Sequence, residues 1–328
     1  MAVYTRINSE DMAALVAGFG VGELVSAKGI AEGVSNSNWL LETRGAPDAG
    51  RFILTVYEER TDTRDLPFFL NLLDHLAAAG CPVPRTIHDA DGAAWRTIDT
   101  PQGEKMLALI EFLPGVSADE PTPSQAHAVG AALAQVHLAG QNFGGFRKDG
   151  MGPDAWRGFV SACAGRWGEI DPALEAVPAF VDEAIGRWPS DLPVSTIHAD
   201  LFPDNVLLVG DDVSGMIDFY FACTGPMAYD IAVTHAAWSF SPDGRRFNRA
   251  IGDALLDGYC SVRVPGSGER TALPALAQAA CLRFLLTRAY DWLNTPADAM
   301  VTRKDPLAFL RRHAFYREQG AAVFEALD

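Results

Sequence analysis

The chain has 328 residues, 48% apolar and 10% aromatic, enough for one large domain or two lobes and too apolar for a disordered segment. A formal net charge of −16 opposes nucleic-acid phosphate and anionic membrane surfaces, so neither is expected as a partner; the charge reads as solubility, with a weak preference for cationic ligands. Five scattered cysteines give no metal-type spacing, the first ten residues are polar, and no apolar run of about 18 residues occurs, so reduced thiols and a cytoplasmic location are expected.

In chain order, residues 9–19 predict a short helix, with Ser9 able to cap it and Met12, Leu15, Val16 and Phe19 at helical spacing. Gly18, Gly20 and Gly22 follow no strand and are wrongly spaced for a dinucleotide loop, so they read as helix termination. Strands are expected over residues 23–28, 39–42, 51–58, 93–98 and 105–112. A small-residue turn lies at 29–38, and an amphipathic helix over 66–79 ends at Gly80. Beyond Leu113-Pro114-Gly115, helical spacing dominates residues 124–138, 156–167, 173–188, 226–240, 247–259 and 273–292. Short strands interrupt it at 194–197, 206–209 and 215–217. The pattern predicts an α+β, two-lobed chain: a five-stranded, mostly antiparallel lobe over residues 1–112, a hinge near 110–115, and a larger helical lobe over residues 113–328.

The chemistry concentrates between residues 194 and 220. A short apolar strand delivers His198 and Asp200; Asn205 lies five residues beyond Asp200, and Asp218 follows another strand. Phosphoryl transfer to a hydroxyl needs one carboxylate to take the hydroxyl proton and hard oxygen ligands to hold Mg²⁺ against the nucleotide phosphates. Asp200 fits the first role and Asn205 with Asp218 the second. His198 reads as a brace for the loop. Taken singly, the same residues also read as turn formers; their joint placement between apolar strands favours catalysis. No second histidine sits at metal-ligand spacing from His198.

His198-Ala199-Asp200-Leu201-Phe202-Pro203-Asp204-Asn205, Ile217-Asp218-Phe219, Leu133-Ala134-Gln135-Val136-His137 and Tyr229-Asp230-Ile231-Ala232 resemble the aminoglycoside-phosphotransferase and choline-kinase-like family over nearly the whole chain. Within it, the strings from Glu32 to Asn38, from Phe52 to Glu58, from Asp218 to Cys223 and from Arg283 to Leu293 are most similar to the bacterial type II homoserine kinases. The resemblance implies a two-lobed protein-kinase-like fold, with residues 1–112 as the nucleotide-binding lobe and residues 113–328 carrying the catalytic loop and substrate pocket. It also implies ATP and Mg²⁺ as cofactors, L-homoserine as substrate, and a product, O-phospho-L-homoserine, on the way to threonine. A kinase of another amino alcohol or an aminoglycoside, and a silent nucleotide-binding pseudokinase, remain as alternatives. A homodimer is compatible with the sequence, which does not fix the oligomeric state.

One departure concerns the nucleotide. Kinases carry a phosphate-gripping lysine on the third strand, paired with a helix glutamate. Here Thr55 stands at that position, and residues 66–79 contain no glutamate. Lys28 is the nearest alternative, although it also reads as a solvated strand end. The backbone from Ser35 through Asn36 to Asn38 can instead cradle phosphate. Adenine is expected against Ile53 and the hinge residues Glu111, Phe112 and Leu113. For the substrate, Asp204 suits the ammonium and Arg288, chosen over Arg283, the carboxylate. Tyr220 and Trp292 are candidate pocket walls, and Asp230 an N-cap or loop brace.

Overall fold

The computed structural model describes residues 5, 7–30, 36–58, 63–100, 103–295 and 303–327. The chain divides into two units, Met1–Pro114 and Gly115–Asp328. In the first, helix α1 (Ser9–Ala17) is capped by Asn8, whose Oδ1 accepts the Asp11 N–H at 2.9 Å. The cap thus falls one residue before Ser9. Asn and Ser are near-equivalent caps, so the local sequence does not rank them.

Strands β1 (Glu23–Ile30), β2 (Ser37–Arg44) and β3 (Arg51–Val56), helix α2 (Leu66–Ala78), and strands β4 (Thr86–Ile87), β5 (Arg96–Thr100) and β6 (Gly103–Glu111) complete this unit. The sheet order is β1-β2-β3-β6-β4, with β5 also on β6, and every pair is antiparallel. Six strands therefore stand where five were expected. The extra one, β4, is two residues long, Thr86 opposite Ile110 and Ile87 opposite Leu109, too short to show alternation.

Alternate strand residues Trp39, Leu41, Phe52, Leu54, Val56, Leu107 and Leu109 pack on Met12, Val16 and Phe19 of the α1 segment. By the period of two, Asn38, Ile53, Thr55 and Ala108 occupy the opposite face. Lys28 lies directly across from Leu40 and shares that second face.

The second unit contains α3 (Pro123–Gly140), α4 (Pro153–Cys163), α5 (Val177–Gly186), β7 (Val194–Ile197), β8 (Val206–Val209), β9 (Asp212–Met216), β10 (Cys223–Pro226), α6 (Met227–Trp238), α7 (Arg249–Val262), α8 (Ser267–Asn294) and α9 (Leu307–Gln319). Every residue of α6 is buried, which makes it the central helix of this unit. Helices α3 and α7 approach closely because Gly130 faces the Leu255 carbonyl and Gly258 the His127 carbonyl; a Cβ at either would collide with backbone. Strand β7 pairs with β10 and β8 with β9, all antiparallel, and the Ile217 N–H donates to the Asn205 carbonyl at 3.0 Å. These ladders bring the loop after β7 beside the loop after β9.

Helix α9 and strand β10 had no counterpart in the sequence reading. In α9 the core positions are filled partly by Arg312 and His313, which blurs the apolar periodicity. All five cysteines are free. Among the described residues no helix is long and apolar enough to cross a membrane.

Candidate active site

Strand β7 ends at Ile197 and delivers His198 into a buried turn. The imidazole Nε2 lies 2.9 Å from the Ile217 carbonyl, and Nδ1 accepts the Asp200 N–H at 3.2 Å. The proton therefore sits on Nε2, and both nitrogens brace the two loops. Burial lowers the ring's pKa, so it stays neutral.

Asp230, in the first turn of α6, accepts the His198 N–H at 2.7 Å and the Ala199 N–H at 2.8 Å. His137 Nε2 adds a third bond at 3.0 Å, while His137 Nδ1 accepts from the Tyr259 hydroxyl at 2.8 Å. Burial alone would raise the Asp230 carboxyl; the bond from His137 and the remaining donors reverse this and hold it below the usual range. The residue is a loop brace, and Pro226, not Asp230, occupies the N-cap of α6.

The Asp200 side chain is 18% exposed. Burial pushes its carboxyl up to about 7, against the opposing charge of Arg283 and with added repulsion from Asp218. A base near neutrality is suited to taking a proton from an alcohol. Asn205 directs Nδ2 to the Asp200 carbonyl at 2.8 Å and towards its carboxylate at 3.4 Å, so its amide oxygen is the atom left for a cation. Asp218 takes a left-handed backbone, φ 65°, as does Ala199, φ 62°; such strain in residues other than glycine is common at active sites. Solvent reaches Asp218, yet crowding by protein atoms raises its carboxyl above the ordinary range, and Asp204 adds to this.

The Asn205 amide oxygen and the Asp218 carboxyl are hard-oxygen groups of the kind that Mg²⁺ prefers, and the Asp218 charge is felt by Asp200. Among the described residues no three His, Cys, Asp or Glu converge into a metal cage.

Both candidate arginines of α8 are engaged. Arg283 is buried and donates from Nη1 to the Ala199 carbonyl, with Nη2 3.8 Å from the Asp200 carboxylate. Sequence reasoning preferred Arg288. What the sequence reading did not assign is the contact of Arg283 with the catalytic loop, although a lone cation in the apolar stretch 277–286 must find a partner. Arg288 is half-buried over the Phe309 ring at 4.5 Å and donates to the Asp305 carbonyl at 3.1 Å. Burial and the neighbouring Arg312 push its pKa down to about 10, the mark of an under-compensated cation. Asp204 is exposed, 3.8 Å from Lys304. Tyr220 donates its backbone N–H to Asp218, and Arg303 lies 5.8 Å over the Trp292 ring.

In the first unit, Ser35 lies outside the described residues. Asn36 accepts the Glu58 N–H at 3.2 Å through Oδ1, and Asn38 accepts from the Thr55 hydroxyl at 2.8 Å. Glu58 also takes bonds from Ser37 at 2.6 Å and Lys105 at 2.9 Å, fastening the end of the Asn-rich segment to the sheet. Lys28 is exposed, and Ile53 sits on β3 beside Ile110. The Glu111 carboxylate pairs with Arg85 at 3.1 Å, its N–H bonds the Arg85 carbonyl at 2.9 Å, and the Phe112 N–H reaches the Arg51 carbonyl at 3.4 Å. The amide hydrogens of Glu111 and Phe112 are thus engaged within this unit; Leu113, half-buried, follows them.

The model of the phosphotransferase enzyme family matches residues 26–265. The homoserine kinase of Gluconacetobacter diazotrophicus is 49% identical over 320 residues, 97% of each chain, and that of Brucella anthropi 47% identical, covering 100% of this chain and 98% of the other. Among solved structures, an amicoumacin kinase superposes with a TM-score of 0.70 at 14% identity over 96% of this chain and 95% of its own. A microcompartment-associated aminopropanol kinase gives 0.67 at 17% identity over 98% and 100%. At such identities the structural likeness speaks for the fold alone.

Proposed function

The chain belongs to the phosphotransferase enzyme family, and on that premise we propose that it transfers the γ-phosphoryl group of ATP to the hydroxyl of L-homoserine, giving ADP and O-phospho-L-homoserine for threonine synthesis. The near-half identity to curated homoserine kinases along the whole chain carries this reading.

In the reaction, Asp200 takes the proton of the homoserine hydroxyl as its oxygen attacks the γ-phosphorus. The new O–P bond forms while the bond from that phosphorus to the β–γ bridging oxygen breaks, and ADP leaves. Asp230, His198 and Asn205 hold the loop that aims the carboxylate. Asn205 and Asp218 would hold Mg²⁺, which supplies charge neutralisation for the phosphates. Asp204 suits the substrate ammonium and Arg288 its carboxylate, with Tyr220 and Trp292 as pocket walls. On the nucleotide side, Ser35, Asn36 and Asn38 would contact phosphate, and Ile53, Glu111, Phe112 and Leu113 the adenine. Lys28 is supported as a phosphate ligand by sharing its sheet face with Asn38 and Thr55. Five free thiols suit a reducing cytoplasm, where ATP is abundant.

The test is coupled ADP release with L-homoserine, choline, ethanolamine, hydroxylysine and an aminoglycoside offered separately. Homoserine should give the highest kcat/KM. Preference for another acceptor would overturn the substrate, and no ADP from any would indicate a silent nucleotide-binding protein.

A further inference from the structure

The reaction as drawn leaves Arg283 without a role, although its position is costly. It lies in the middle of α8 and is only 3% exposed, flanked by Leu282, Phe284, Leu285 and Leu286, all buried. A buried guanidinium destabilises a fold unless its charge and hydrogens are met. The guanidinium carbon lies 5.2 Å over the Phe221 ring and 4.4 Å over the Phe284 ring. Nη1 donates to the Ala199 carbonyl, Nη2 stands 3.8 Å from the Asp200 carboxylate, and Nε has no partner among the described residues. The side chain thus touches both loops that carry the chemistry, the first at Ala199 and Asp200 and the second at Phe221, three residues beyond Asp218.

Ala199 gives these contacts their meaning. It holds a left-handed backbone at φ 62°, a conformation an alanine does not favour. Its N–H is fixed by Asp230 and its carbonyl by Arg283, so the residue before Asp200 is gripped from both sides.

We propose that Arg283 is a positioning residue for phosphoryl transfer: its guanidinium fixes the Ala199–Asp200 peptide and so aims the Asp200 carboxylate at the acceptor hydroxyl. This rests on the role of Asp200 given above, not on which alcohol is the acceptor. A rigid helix supplies the cation and a strained loop receives it, so Arg283 anchors Asp200 through the Ala199 carbonyl, while its Nη2 stays 3.8 Å from the carboxylate itself.

The test compares Arg283→Met, which keeps the stem between the two rings, and Arg283→Lys, each alone and combined with Asp200→Ala, in ADP release with whichever alcohol the wild-type enzyme turns over. Arg283→Met should lower kcat by ~30–300-fold with KM for ATP and acceptor within about threefold of wild type, and Arg283→Lys should recover part of the loss. On the Asp200→Ala background, removing Arg283 should cost less than about threefold more, because its effect passes through Asp200. Thermal unfolding of each variant reports folding; if Arg283→Met does not fold, Arg283→Lys and its double variant carry the comparison. A rise in acceptor KM at unchanged kcat would make Arg283 a substrate ligand and overturn the proposal. Fully additive losses, or wild-type kcat in Arg283→Met, would overturn it as well. If homoserine is not the wild-type acceptor, the substrate reading fails while the Arg283 comparison still stands.

Discussion

Asp230 reaches out of the first turn of α6 to accept the backbone N–H of His198 at 2.7 Å, although the two residues are 32 positions apart. The same carboxylate holds the Ala199 N–H and His137, so one fully buried anion organises the start of the catalytic loop from outside it. Asp230→Asn keeps the shape but replaces one accepting oxygen with an NH₂ group, which faces donors. The expected cost is on the order of 2–4 kcal/mol of stability, because buried donors lose their acceptor. A kcat loss of ~100-fold should accompany it. Denaturant unfolding and steady-state kinetics measure the two, and a stable variant with normal kcat would refute the brace.

Asp200→Ala removes the proposed base and leaves the described contacts of the Asn-rich segment untouched. Turnover should fall by ~10²–10⁴-fold, with the ATP dissociation constant, read by calorimetry, changed little. Near wild-type turnover would exclude Asp200 as the proton acceptor.

Arg288 carries a half-buried charge that donates a hydrogen bond to the Asp305 carbonyl. Its lowered pKa marks a cation that gains from an arriving anion. Arg288→Met should raise KM for homoserine by ~10–100-fold, as expected for losing a charge-assisted bond, and leave KM for ATP near wild type. An unchanged homoserine KM would move carboxylate recognition elsewhere.

These residues differ in how far the sequence revealed them. Asp200 and Asn205 stand on the loop between β7 and β8, and Asp218 follows β9; β7 and β8 formed at the short apolar runs 194–197 and 206–209, as the sequence predicts. The register that sets Lys28 on the face of Thr55 was not legible, since pairing across strands depends on the turn between them. Strand β4 was invisible because two residues carry no period. The partners of Arg283 and Arg312 were hidden for a shared reason: a cation in a buried helical position looks like an interruption of an apolar stripe, and only the tertiary fold supplies the carbonyl it needs. Asp230 lay between two readings, a cap or a brace, and only the approach of β7 to α6 decides between them.

Gly258 tests a tight contact between α3 and α7 in the second unit. Any Cβ there meets the His127 carbonyl of α3, and backbone cannot step aside as a flexible side chain would. Gly258→Ala should therefore lower stability by about 1–3 kcal/mol despite alanine's better helix propensity. Thermal unfolding checks the sign; an increase in Tm would mean that α3 and α7 can separate without loss.

A last expectation concerns acid. His235 is fully buried in α6, with Nδ1 2.6 Å from the Tyr316 hydroxyl and the charge of Arg249 nearby. Burial first, and Arg249 second, push its pKa down to about 3. Its folded value thus lies below that of a free imidazole, ~6.5. Above that pH both states are neutral there and the residue's contribution is intact. As pH falls below it, the unfolded chain takes up a proton that the folded one refuses, and stability is lost progressively until the folded pKa is reached. By pH 5 this amounts to roughly 2 kcal/mol for one such group. Carboxyls with raised values, such as Asp200 near 7, act in the opposite direction over the same range, so total stability is a poor gauge. The comparison to make is wild type against His235→Gln, which keeps a polar side chain beside Tyr316 and cannot titrate. The variant should be less stable at pH 8, and the gap should narrow by about 2 kcal/mol between pH 7.5 and 5. A gap that stays constant across that range would mean that His235 protonates as readily in the folded protein as in the unfolded chain.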